Sequence, residues 1–137
     1  MELRIANTRA DMRRLGAWLE DFSAAHHLPA PVRHDLNVAL DEVLSNIVSY
    51  GYPAGAQDEI VIRLLRERDA VVVEVDDGAV PFDPLDAPKP DLDAALDTRK
   101  VGGLGWHFVK SLMDDVSYRR MDNRNRLRMV KRLAAGE

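Results

Sequence analysis

Val71-Val72-Val73-Glu74-Val75-Asp76-Asp77-Gly78 is a nearly unbroken apolar run that ends in two carboxylates and a glycine. A run this short and this rich in valine predicts a β-strand. Its near-continuous apolarity predicts a central one, flanked on both sides and covered by helices. Asp-Gly is also a common plain turn. No strand follows it here, however, because the chain enters a proline-rich stretch, so a tight hairpin is the weaker reading.

Working upstream, Ile60 to Leu65 reads as a second strand, joined to the first through Arg66-Glu67-Arg68-Asp69 as a hairpin. Further upstream, Val32 to Tyr50 has helical periodicity and stops at Gly51-Tyr52-Pro53, a glycine followed by a proline. Leu36, Leu40, Val43, Leu44 and Ile47 form its core stripe. Glu42 and Asn46 lie four residues apart, so about 40° separates them on one flank of that stripe, with Asp35 projecting near them. Such a pair is an ordinary solvated flank when it stands alone. Leu28-Pro29-Ala30-Pro31 separates this helix from an earlier one, Ala10 to His26, capped by Asn7-Thr8 with Asp11 in its first turn. Leu3 to Ala6 is a short first strand.

Downstream, residues 82–100 form a long connection with four prolines nearby (Pro81, Pro84, Pro88, Pro90) and five aspartates. A loop of that length between two candidate site segments is expected to be a lid. Gly102-Gly103-Leu104-Gly105 then opens a third helix, Gly103 to about Met113. Backbone N–H groups at a helix start, with no Cβ in the way, bind phosphate oxygens. The loop has neither the lysine of a P-loop nor the strand that precedes a dinucleotide fingerprint. Val116 to Arg120 and Arg126 to Leu133 make a last hairpin around Asp122 to Asn125. The order β-α-α-β-β-lid-α-β-β implies a two-layer α/β sandwich: a mostly antiparallel sheet with three helices on one face.

The chain has 137 residues with 46% hydrophobic and 31% charged, which fits one domain over residues 1–137. A net charge of -4 gives no global attraction to nucleic acid or to an anionic membrane. The basic run from Arg119 to Arg132 alternates with apolar residues, as a hairpin with one solvated face does. Cysteine is absent, which excludes disulfides and thiolate metal sites. No apolar run is long enough to span a membrane, and a reducing cytoplasm is expected. His26-His27, His34 and His107 read as surface polar groups rather than ligands.

Glu42-x-x-x-Asn46, Asp76-x-Gly78 and Gly103-Leu104-Gly105 resemble the three boxes of the GHKL (Bergerat-fold) ATPases, whose members include histidine kinases and gyrase. Ser49-Tyr50-Gly51-Tyr52 and Pro81-Phe82-Asp83-Pro84 are similar to the bacterial anti-sigma factor serine-protein kinases within that superfamily. The resemblance spans about Asn7 to Leu133. It implies that Glu42 is the general base, Asn46 the amide that holds Mg²⁺ with the ATP phosphates, and Asp76 the adenine-reading carboxylate. It further implies that Gly78 lies beside the adenine and that Gly103, Leu104 and Gly105 form the phosphate loop.

The implied activity is phosphorylation, from ATP, of a STAS-fold anti-anti-sigma protein on Ser or Thr, with a sigma factor as a second partner and a homodimer by analogy. The chain departs from the pattern at Val80, where a second glycine is usual, and at Tyr50, where His is frequent. The late-strand Thr that helps to hold adenine in many members best matches Arg128, and that role is not carried over. Two other readings stay open: an ATP-binding module that sequesters a partner without phosphate transfer, and the catalytic half of a split histidine kinase.

Overall fold

The computed structural model describes residues 1–81 and 103–133 and, within 103–107, the backbone alone. The elements are β1 (Glu2–Ala6), α1 (Arg9–Met12), α2 (Arg14–Ala25), α3 (Ala30–Tyr50), β2 (Glu59–Arg66), β3 (Ala70–Asp77), α4 (Gly103–Leu112), β4 (Asp115–Met121) and β5 (Arg124–Arg132). The strands form one sheet in the order β1-β2-β3-β5-β4, with every neighbouring pair antiparallel. The valine run is therefore the middle strand.

The expected first helix is two. Thr8 caps α1 by accepting the Asp11 N–H at 3.2 Å, and the Asp11 carboxylate reaches back to the Ala6 N–H at 2.7 Å. The helical path is interrupted at Arg13, and the apolar residues of α2 then turn inward as Leu15, Leu19 and Phe22. α3 begins behind Pro29 and buries Val32, Leu36, Ala39, Leu40, Val43 and Leu44. These side chains meet Ile60, Ile62 and Leu64 of β2, Val71, Val73 and Val75 of β3, and Leu127 and Met129 of β5 in one core. Each fully buried leucine or isoleucine contributes roughly 1.5–3 kcal/mol relative to an exposed one.

Because side chains alternate along a strand, the core residues fix which face every other residue takes. Val71, Val73, Val75 and Asp77 point to the helical layer, whereas Val72, Glu74 and Asp76 point to the opposite face. The β4–β5 hairpin turns on two residues only, Asp122 and Asn123, whose φ values are 54° and 63°. Aspartate and asparagine tolerate this left-handed region better than other non-glycine residues, and such a two-residue turn suits a hairpin. The turn is shorter than the one read from sequence, so Asn125 lies inside β5.

Candidate functional site

On α3, Glu42 and Asn46 are both partly buried on the flank of the core stripe. Glu42 makes no hydrogen bond or ion pair among the described residues. The Asn46 Nδ2 is buried and has no hydrogen-bond partner among the described residues. An unsatisfied buried amide is uncommon in a folded protein and calls for an explanation. Asp35 lies two to three turns away and is committed elsewhere, since its carboxylate is 2.9 Å from the Lys131 ammonium. The same Lys131 Nζ donates to the Leu112 carbonyl of α4 at 2.7 Å.

The C-terminal end of α3 is joined to the exit of β3. The Val80 N–H donates to the Gly51 carbonyl at 2.9 Å. Gly51 must be glycine for this approach, because a Cβ there would stand 2.7 Å from the Ala79 Cβ and 2.6 Å from the Ile47 carbonyl oxygen. Asn46 sits five residues before Gly51, about 7.5 Å along the helix axis.

The two aspartates at that strand end are separated by the sheet. Asp76 is on the face away from the helices. Its Oδ1 accepts from the Arg124 Nε, and its Oδ2 accepts from the Arg126 Nε at 3.2 Å, so the carboxylate is clamped between two β5 guanidinium groups. Asp77 is on the helix-facing side, 3% exposed. Its Oδ1 accepts the Ala79 N–H at 2.9 Å and the Asn125 Nδ2 at 3.0 Å. Burial pushes the Asp77 carboxyl above its ordinary value, and the Asn125 and Ala79 donors oppose that rise. The carboxylate that the motif assigns to the nucleobase, Asp76, therefore points away from the α3 flank, and the next residue takes the inward position. Strand alternation is the cause, since Val75 is buried in the core and only odd-numbered neighbours share its face. Arg128, the position matched to the family's late-strand Thr, is likewise on the outer face, opposite Glu74.

Gly78 does not leave open space. Its N–H donates to the Asp58 Oδ2 at 3.0 Å and to the Tyr52 hydroxyl oxygen at 3.2 Å, and that hydroxyl donates to the Asp58 Oδ2 at 2.7 Å. Burial and the neighbouring Asp58 and Asp77 charges hold the Tyr52 hydroxyl well above its usual range. Burial raises the Asp58 carboxyl, but the Tyr52 hydroxyl, the Glu59 N–H and the Arg124 charge outweigh it and leave it below its ordinary value.

Gly103, Leu104 and Gly105 form the first turn of the ten-residue helix α4. The first N–H groups of a helix lack intrahelical partners and carry its positive end. Gly102 and the connection read as a lid lie outside the described residues. Among the described residues, then, the structure keeps Glu42 and Asn46 on one helix flank and joins the end of that helix to the exit of β3. Asp77 and, directly opposite it, Asn125, which sequence reading assigns to the hairpin turn, share the helix-facing side, while Asp76 lies on the other face.

Residues 5–131 match the model of the histidine kinase-like ATPase domain. The chain is 32% identical to the serine/threonine-protein kinase BtrW of Bordetella bronchiseptica over 85% of this chain and 82% of that protein. It is also 32% identical to the serine-protein kinases RsbW of Listeria monocytogenes and of Bacillus subtilis, over 60% of this chain in each case. It spans only about half the length of those two relatives, 55% and 54%. The five-stranded antiparallel sheet, its one helical layer and these matches agree: this chain belongs to the histidine kinase-like ATPase domain family.

Proposed function

We propose that this protein is an ATP-dependent serine/threonine protein kinase acting on a STAS-fold anti-anti-sigma protein in the cytoplasm. The family match and the named kinase relatives support the activity. The observation that carries the site is the Asn46 amide, whose buried Nδ2 has no hydrogen-bond partner among the described residues, on the helix whose end is joined to the exit of β3. A sigma factor as second partner and a homodimer belong to the same reading by family analogy.

The residues fit Mg²⁺ with ATP. Asn46 offers a side-chain carbonyl oxygen with no competing hydrogen bond, and Glu42 adds a free carboxylate one turn away, both of them hard oxygen donors. Asn46 would hold the ion together with the phosphates; when bound, Mg²⁺ supplies neutralisation of the phosphate charge. Asp77 accepts a hydrogen bond from the adenine amine. The first-turn N–H groups at Gly103, Leu104 and Gly105 hold phosphate oxygens. Glu42 takes the proton of the incoming Ser or Thr hydroxyl as that oxygen attacks the γ-phosphorus and the bond to the ADP oxygen breaks. Phosphoryl transfer needs mainly positioning and charge stabilisation, so this small set is sufficient.

The test is incubation with labelled ATP, Mg²⁺ and STAS proteins from the same genome, followed by analysis of the phosphorylated residue. Phosphoserine or phosphothreonine is expected. ATP binding with no transfer to any STAS protein would replace the kinase with a partner-sequestering module. Acid-labile phosphohistidine would make the chain the catalytic half of a split histidine kinase.

A further inference from the structure

We propose that Asn125 is a positioning residue that orients the Asp77 carboxylate for recognition of an exocyclic amine on the nucleobase. The inference rests on the nucleotide reading above and adds to it a residue on a different strand. Asn125 is directly opposite Asp77 in the β3–β5 register and is 7% exposed.

The orientation of the Asn125 amide follows from its neighbours. Its Oδ1 accepts from the Tyr118 hydroxyl at 2.5 Å and from the Arg120 Nη1 at 3.0 Å. A guanidinium only donates, so the oxygen of the amide must face β4 and the Nδ2 must face β3. The two Nδ2 hydrogens are then shared among the Asp77 Oδ1 at 3.0 Å, the Ala79 carbonyl at 3.1 Å and the Val80 carbonyl at 3.0 Å. The Arg120 Nη1 also donates to the Ala79 carbonyl at 2.9 Å, which ties the same turn to β4 a second time.

The consequence falls on Asp77. Its Oδ1 has two donors, the Ala79 N–H and the Asn125 Nδ2, while its Oδ2 makes no hydrogen bond among the described residues. A carboxylate held by one oxygen offers the other as an acceptor in a fixed direction. That acceptor takes an N–H of an amino group and repels a carbonyl oxygen set in the same place. Without Asn125 the carboxylate would keep one donor and be free to turn, so the preference for an amine would weaken. General packing would be disturbed as well, but packing cannot distinguish a base with the amine from the same base without it.

The experiment measures the affinity of the full chain for Mg·ATP and for purine riboside triphosphate, which lacks the 6-amino group. The variants are Asn125→Ala, Tyr118→Phe and, as a control on the reading itself, Asp77→Asn. Wild type is expected to prefer ATP. Asn125→Ala is expected to lower that preference about tenfold by weakening ATP alone, in line with the loss of a hydrogen bond to a charged group. Tyr118→Phe releases the amide without touching Asp77 and is expected to lower the preference by a smaller factor; it keeps the test open if Asn125→Ala does not fold. A fall of equal size for both nucleotides would reduce Asn125 to a structural residue. Loss of preference in Asp77→Asn with none in either β4–β5 variant would overturn the Asn125 proposal and keep the nucleotide reading. No preference in wild type would remove both, and a preference that survives Asp77→Asn would overturn the Asn125 proposal and move amine recognition to another group.

Discussion

Asp58 occupies the place that a side chain at Gly78 would need: its Oδ2 accepts the Gly78 N–H at 3.0 Å, and a Cβ added to Gly78 would come to 2.5 Å from that oxygen. The glycine after the strand is therefore required by a carboxylate of the protein itself. That carboxylate also receives the Tyr52 hydroxyl and lies 3.6 Å from the Arg124 guanidinium, which staples the loop after α3 to the ends of β3 and β5. Gly78→Ala is expected to destabilise the nucleotide-free protein by about 1–3 kcal/mol, the usual effect of overpacking. The penalty should shrink in an Asp58→Ala background, where the clash is gone. Urea denaturation of the two single variants and the double variant checks this; simple addition of the two effects would show that the residues are not coupled.

The two adjacent aspartates should separate cleanly. Asp77→Asn replaces an acceptor oxygen with a donor amide on the helix-facing side, and is expected to weaken ATP binding by about 1.5–3 kcal/mol. Asp76→Asn loosens the clamp made by Arg124 and Arg126 on the opposite face. It is expected to cost about 1–3 kcal/mol of folding stability and to leave ATP affinity within about 0.5 kcal/mol of wild type. Calorimetric titration with ATP reads both. A large loss of affinity in Asp76→Asn with none in Asp77→Asn would return the base-reading role to Asp76.

The pH dependence of stability gives an independent view of Asp77. Its carboxyl is raised from 3.8 by burial, with the Asn125 and Ala79 hydrogen bonds opposing. A raised acid binds its proton more tightly in the folded state, so its favourable contribution is complete below 3.8 and is lost as pH rises through the folded value. At neutral pH the wild type thus carries the full penalty of a buried charge that Asp77→Asn lacks. The variant, without nucleotide, should melt no lower than wild type at neutral pH, and any advantage should shrink as pH falls toward 3.8. Thermal melts of both proteins across that window test the sign; an advantage that grows on acidification would contradict it.

Much of this fold was legible from residue patterns because those patterns report burial directly. The valine run from Val71 to Val75 is the middle strand, with Val71, Val73 and Val75 in the core, and the stripe of α3 is periodic because that helix packs into the same core. Which of the two aspartates faces the helical layer was not legible, for a local reason. Asp76 and Asp77 are chemically identical, and a run apolar on both faces hides which parity faces the helices. The core membership of Val73 and Val75 decides it, and only packing reveals that. Asn125 was hidden by the length of the hairpin turn. With φ positive at Asp122 and Asn123, two residues suffice to reverse the chain, and the following asparagine becomes a strand residue opposite Asp77.

The sharpest division between binding and chemistry lies on α3. Glu42→Gln keeps the size of the side chain and its place on the helix flank, but an amide cannot take a proton. ATP affinity is expected to change little, while phosphate transfer to the STAS partner falls by about 10²–10⁴-fold, the usual contribution of a general base. Asn46→Ala removes the amide whose buried Nδ2 has no partner among the described residues. Deleting an unsatisfied buried group should cost little folding stability, since no protein hydrogen bond is lost. It should nevertheless weaken Mg·ATP binding and transfer together, because the same amide would tie the ion to the phosphates. The pair is measured by titration with Mg·ATP and by single-turnover transfer of labelled phosphate. Wild-type transfer in Glu42→Gln would remove Glu42 from the base role. A loss of folding stability in Asn46→Ala with unchanged Mg·ATP affinity would make Asn46 a structural residue and remove it from the metal-holding role.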